Sequence, residues 1–240
     1  MPAILQGFDI RYVKGHGNLP GVLEQAAVGK AAIAIILAWK EDEQFSDGLA
    51  FDVIRQLKKP AYIVGIVCAS VGYALMTYFM TATPLQVVNV SQLGTSANAT
   101  IIQWHVIAMF APSFFTGHLI QRFGLMRILL AGLLAYIAAI VMALVGDKFI
   151  HYFTALTLIG LGWNFLYIGG SALVAQVSTD VERGRVQGAA DLVTTSLVAL
   201  ASLTAGSLHS QFGWEVMVMT GCLPITVLAF VLVWFGFHQR

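Results

Sequence analysis

Six apolar stretches of about twenty residues, parted by short clusters of charge, leave this chain few ways to fold. A helix needs about twenty residues to cross roughly 30 Å of hydrocarbon, and the stretches 61–88, 99–120, 128–145, 152–177, 186–208 and 216–237 all approach that length. The composition agrees, because 58% of the residues are hydrophobic and only 10% charged, whereas soluble domains carry about a quarter charged. In lipid every backbone polar group must find its partner inside the protein, so a spanning segment is either helical or part of a closed barrel. No alternation at period two runs through these stretches, which removes the barrel. The expected fold is an all-α membrane protein, with six transmembrane helices over 60–240 and a different kind of segment over 1–59.

Within 1–59 the apolar run 31–39 is too short to span and is bounded by charge, so a partial helix is expected there. Residues 45–59 mix apolar and charged positions at roughly helical spacing and end in basic residues. That pattern predicts an amphipathic helix lying at the interface and leading into the first span. No basic region followed by an apolar core opens the chain, so a cleavable signal peptide is not expected.

Lysine and arginine collect on cytoplasmic loops. With the start of the first span inside, Arg55, Lys58, Lys59, Arg122, Arg127, Arg183, Arg185 and Arg240 all fall on that side and Lys148 alone falls opposite. Both ends of the six-helix bundle are therefore expected in the cytoplasm, in a multi-pass protein of the bacterial inner-membrane type. The net charge of +1 leaves no basic face once these residues are placed in loops, so nucleic acid is not an expected partner. Cys68 and Cys222 lie in apolar runs without CxxC spacing and read as packing residues. Neither a metal site nor a cofactor is expected. HExxH, GxSxG and paired intramembrane aspartates are all missing from the sequence, so an enzyme is not expected either.

One internal similarity sharpens the reading. GHLIQRFGLMRILLAG over 117–132 aligns without a gap on GSLHSQFGWEVMVMTG over 206–221, matching five of sixteen positions at an offset of 89 residues. Three predicted spans separate the copies, an odd number, so the copies face opposite sides of the membrane. An inverted repeat of three plus three helices is a signature of secondary transporters.

The inner copy carries a further pattern. GHLIQRFGLMR over 117–127 resembles the short cytoplasmic loop motif of the major facilitator superfamily: Gly, three residues, Asp, a basic residue, any residue, Gly, then basic residues. Gly117, Arg122 and Gly124 match it; Gln121 stands at the acidic position and the later basic residue is displaced to Arg127. ERGRVQGAAD over 182–191 is similar to the corresponding inner loop of many members. The resemblance implies that 60–240 is the C-terminal six-helix half of a major facilitator fold, whose N-terminal six-helix half lies outside this chain. The expected function is secondary active transport of a small molecule by alternating access, proton-coupled, in the manner of an antiporter for drug or metabolite efflux. The alternative is a truncated half-transporter that is inactive alone or assembles with a partner half or a second copy. Either way the partners are a small solute, the lipid bilayer and a second half.

Candidate residues follow from polarity inside apolar spans. Asp191 is the one acidic side chain well inside a proposed span, so it is paired, protonated or facing water. It is a proton-coupling candidate and equally a structural partner for Arg183 or Arg127. His105, with Gln103 two residues before it, is the second coupling candidate because imidazole titrates near neutral pH; the alternative is a bond to a carbonyl. Asn164 and Tyr167 are candidates for a cavity wall, against a helix-to-helix bond for the amide. By spacing Tyr167 shares the face of Asn164 while Trp163 points elsewhere, and Gly160, Gly162, Gly169 and Gly170 invite close packing or local unwinding. Met76, Met80 and Thr81 combine soft apolar surface with a hydroxyl. Gly117, Arg122, Gly124, Arg127 and Arg183 form a candidate conformational latch, with Arg122 or Arg127 pairing with Asp180, Glu182 or Asp191; the alternative is a topological anchor.

Overall fold

The computed structural model describes residues 52–238, which belong to one compact unit, Phe51–Arg240. The predicted partial helix over 31–39 and the first part of the predicted interfacial helix over 45–59 lie outside the described residues; residues 52–57 are helical. Seven longer helices follow. Helix α1 is Pro60–Pro84, continued by a π-helical turn, Leu85–Val90. Then come α2 (Gly94–Phe110), α3 (Ser113–Phe123), α4 (Leu125–Val145), α5 (Phe149–Val177), α6 (Arg183–Thr220) and α7 (Cys222–His238).

Sequence chemistry explains the boundaries. Pro60 opens α1, where its missing N–H costs nothing, and Lys59 before it is extended. Pro84 removes a helical donor at the far end, and the backbone widens into the π-helical turn after it. Pro112 separates α2 from α3, which bend by 45°. Gly124, at φ 87°, parts α3 from α4, and Gly213, at φ 79°, interrupts α6.

Among the described residues, four segments are long and apolar enough to cross a membrane: Pro60–Val90, Leu125–Val145, Phe149–Val177 and Arg183–His238. The bent pair Thr95–Phe110 and Ser113–Phe123 makes a fifth if counted as one span. The structure thus corrects two expected boundaries. The second predicted span is broken rather than continuous. The fifth and sixth are joined without a loop, since Gly213 is the one non-helical residue within α6.

The helix starts repeat. Pro60 and Phe149, Gly94 and Arg183, and Gly124 and Gly213 each stand 89 residues apart, the offset of the sequence repeat.

Helix α5 is the hub, and its glycines are the reason. A Cβ on Gly170 would lie 2.6 Å from the Gly65 carbonyl oxygen of α1, and one on Gly160 would lie 2.6 Å from the His105 carbonyl oxygen of α2. Gly162 packs on Tyr136 and Gly169 on Leu129, both of α4. Small residues at such contacts let backbones approach where lipid supplies no hydrophobic drive between helices. Of the two roles expected for these glycines, close packing is the observed one. Hydrogen bonds then link helices across the core: Tyr136 Oη donates to the Gly72 carbonyl at 2.6 Å, and the Ser70 and Thr194 hydroxyls lie 2.8 Å apart.

Candidate functional site

Three polar or aromatic groupings stand out against the apolar bundle. The first is ionic and sits where the start of α1 meets the turn between α5 and α6. Glu182 is almost fully buried, at 2% exposure, yet it pairs with Arg55 and accepts from Gln56 Nε2 at 2.8 Å and from the Thr179 N–H at 2.9 Å. Arg185 reaches Asp52 at 2.6 Å, and Lys59 Nζ donates to the Val177 carbonyl at 2.7 Å. Buried charge is tolerated only with such partners, so the lead-in segment over 52–59 is tied to the α5–α6 turn.

This arrangement corrects the expected latch pairing. Arg183 pairs with Asp180 at 2.9 Å, three residues away, and the partner of Glu182 is Arg55. Arg122 lies over the Phe123 ring at 5.5 Å. Gly117, Gly124 and Arg127 are exposed with it. Leu125 and Leu129 pack on Gly169, which sets the α3–α4 joint at the same end of the bundle as the α5–α6 turn.

The second grouping is neutral and occupies the opposite end. Gln86 donates through Nε2 to Tyr152 Oη at 3.0 Å, and its Oε1 accepts from His209 Nε2 at 3.0 Å. Ser91 Oγ lies 2.8 Å from Tyr152 Oη, and Trp214 Nε1 donates to the Ala143 carbonyl at 2.9 Å. Sequence reasoning passed over all five side chains. Each lies near a span end, where a polar residue is unremarkable until its partner is known.

The third grouping is a wall on α1, α2, α5 and α6. Trp163 and Tyr167 of α5 stack with centroids 5.2 Å apart and planes 9° apart. Tyr73 of α1 meets both edge-on, at 5.6 and 5.3 Å, and Phe110 of α2 meets Trp163 at 5.8 Å. Tyr73 and Tyr167 are half-buried and Phe110 is exposed. Trp163 is buried, and its indole N–H has no hydrogen-bond partner. Asp191 of α6 is exposed, one turn before Thr194, whose hydroxyl lies 2.8 Å from that of Ser70 on α1.

The predicted residues distribute unequally over this wall. Tyr167 and Asp191 belong to it. Met80 shares the Tyr73 face of α1 by seven-residue spacing and is half-buried, as is Thr81. Gln103 is exposed and lies seven residues from Phe110, on the same face of α2. Met76 is corrected to a core residue at 4% exposure. Trp163 does not point away from Tyr167 but stacks on it, as four-residue spacing allows.

Asn164 is corrected from cavity to glue. It is fully buried, its Nδ2 donating to the Met109 carbonyl and to Ser113 Oγ, both at 2.6 Å, while its Oδ1 accepts from Thr116 Oγ1 at 2.6 Å. Those three partners flank Pro112, so the amide satisfies the backbone that the bend between α2 and α3 leaves free. His105 is also fully buried, with Nδ1 2.7 Å from the Leu156 carbonyl oxygen, the carbonyl bond that stood as its alternative role.

The family profile described as Major Facilitator Superfamily matches residues 62–240. A riboflavin transporter, RfnT, of Brucella anthropi is 40% identical over 216 residues, covering 88% of this chain and 53% of its own length. Two transporters of Bacillus subtilis described as uncharacterized and of this type, YdeG and YddS, are 30% and 28% identical, covering 73% and 84% of this chain and 41% and 46% of their own lengths. The chain spans about half the length of the curated relatives it matches.

Proposed function

The chain belongs to the major facilitator superfamily, and from that premise we propose that it supplies one half of a proton-coupled secondary transporter for a flat heteroaromatic solute of the riboflavin type. The six-helix reading divides the bundle at Gly213, making α1, the α2–α3 pair and α4 one triplet, and α5, the first part of α6, and the rest of α6 with α7 the other. The common spacing of the helix starts supports it. So does length: 56 residues as one helix would measure about 84 Å, nearly three bilayer thicknesses. An odd number of spans separates the copies, so the triplets are inverted, and they rock about a site at their junction.

The observation that carries the transport reading is the position of Asp191. Eight residues into α6, about 12 Å along it, a carboxylate is exposed one turn before the contact of Thr194 with Ser70 of α1. Lipid does not accept an ionised group there without a large cost, so this face meets an aqueous cavity and a second six-helix half instead. That half precedes this one in a longer polypeptide or is contributed by another copy. Asp191 takes up and releases the coupling proton as the cavity opens to each side. His105, sealed between α2 and α5, holds the helices together and is left out of the relay. The charged end of the bundle faces the cytoplasm of a bacterial cell, in keeping with the loop arginines.

Membrane vesicles from the native host, with the gene intact and deleted, test this reading. Riboflavin accumulation driven by an imposed proton gradient is expected to vanish on deletion, to return with the native gene, and to stay absent with Asp191→Asn. Accumulation indifferent to deletion would sink the transport reading. Accumulation that survives Asp191→Asn with its pH dependence intact would remove Asp191 from the coupling.

A further inference from the structure

We propose that Tyr73, Trp163 and Tyr167 form the subsite that grips the planar ring of the solute, with Asp191 at its edge taking the hydroxylated chain that such a ring carries. The inference rests on the transport reading for its solute class, but its location comes from the geometry.

An aromatic cluster inside a membrane protein is ordinarily packing, and its rings are then covered or lie among aliphatic side chains facing lipid. This one differs in three ways. Trp163 and Tyr167 lie nearly parallel, 9° apart, so Trp163 backs the Tyr167 ring and holds it flat, while Tyr73 closes one side edge-on. Tyr73 and Tyr167 stay half-open rather than buried. Polar groups are concentrated there: two phenol hydroxyls and, on α6 one turn before the contact of Thr194 with Ser70, the exposed Asp191 carboxylate. A surface facing lipid gains nothing from these groups, and a dry protein interface would leave them unsatisfied.

The chemistry that satisfies them is specific. A fused planar ring stacks on the open part of Tyr167, with offset or edge-on contacts to Tyr73. Ring carbonyls accept from a phenol hydroxyl, and chain hydroxyls donate to Asp191. Rigid rings spend little conformational entropy when they bind, so the wall is pre-organised for a flat ligand.

The test uses the purified full chain in lipid nanodiscs and two probes, lumichrome, a tricyclic flavin ring without the polyol chain, and riboflavin itself. Quenching of probe fluorescence reads binding. Stacking on one aromatic side chain contributes about 1–3 kcal/mol, so Tyr167→Leu is expected to weaken both probes by about tenfold or more, and Tyr167→Phe to restore most of the loss. Asp191→Asn is expected to weaken riboflavin and spare lumichrome. Melting temperatures check that each variant folds, and Tyr73→Leu, expected to weaken both probes severalfold, carries the test if Tyr167→Leu does not, native binding by it then overturning the subsite. Absence of lumichrome binding to the native chain, or equal binding by native and Tyr167→Leu, overturns the subsite. In host vesicles, native riboflavin uptake unchanged by Tyr167→Leu overturns the subsite and leaves transport standing. Conversely, lumichrome binding that depends on Tyr167 in a protein whose vesicles accumulate no riboflavin upholds the ring subsite and defeats the riboflavin reading.

Discussion

Gly124 and Gly213, 89 residues apart, share one unusual backbone conformation, φ 87° with ψ 150° and φ 79° with ψ 178°. This region is open essentially to glycine alone. In both places it ends one helical stretch and starts the next without a loop.

That equivalence gives the first prediction. A Cβ at either glycine would meet nothing within 4 Å, so the penalty of Gly124→Ala or Gly213→Ala is one of backbone conformation, about 1–3 kcal/mol each. Gly117 and Gly184 also face open space but have ordinary helical placement, and alanine there is expected to be neutral or to stabilise by up to about 1 kcal/mol. Melting of the four variants in one detergent decides it, and four equal values would refute the shared-turn account.

Gly170 tests the hub. Its added Cβ would lie 2.6 Å from the Gly65 carbonyl oxygen and 2.8 Å from the Ala69 nitrogen, both backbone atoms that no rotamer change can move. Gly170→Ala therefore forces α1 and α5 apart, and overpacking of this kind costs about 1–3 kcal/mol. A native-like melting temperature, with native binding of any ligand at the wall, would show that the helix contact is looser than described.

Much of this organisation was legible in the sequence because charge and glycine have few uses inside an apolar chain. Arg122, Arg127, Arg183 and Arg185 stand within three residues of a helix end, and the five matched positions of the repeat include the two turn glycines themselves. What escaped depends on partners far away in the chain. Pro112 marks a break in any helix, but the amide that closes this one belongs to Asn164, 48 residues from Thr116, and no local pattern reports that pairing. The ionic cluster was assigned to the wrong arginine for a similar reason. Arg55 and Arg122 are equally basic and both stand near a predicted span, and only the packing of α1 against the α5–α6 turn selects Arg55 for Glu182. The aromatic wall was half-legible: Tyr167 was singled out, while Trp163, four residues earlier, was assigned to another face although i and i+4 side chains meet on a helix.

Asn164 supplies the third prediction. Replacing it by leucine removes three bonds of 2.6 Å, and in membranes such bonds average about 0.6 kcal/mol each, reaching about 1.7. Asn164→Leu is expected to lose about 2 kcal/mol and to raise hydrogen exchange at the amides around Pro112. Solute preference should not change, since the residue is sealed from the wall. Altered solute preference with unchanged stability would return Asn164 to the cavity.

Glu182 carries the last prediction. It stands at the N-cap of α6, where a carboxylate meets the positive end of the helix, and it holds Arg55, Gln56 and the Thr179 N–H together. Glu182→Gln keeps the shape but discards the charge. A hydrogen bond to a charged group contributes about 1.5–3 kcal/mol, and the lower end applies because Arg55 is 48% exposed to solvent screening. The loss falls on the attachment of residues 52–59 rather than on the glycine-packed core. Trypsin is therefore expected to cut several-fold faster after Lys58 in Glu182→Gln, with the main melting transition little changed. High salt should speed cleavage of the native chain and alter the variant less. Equal cleavage of both proteins at every salt concentration would mean that the ionic cluster does not hold the lead-in segment in place.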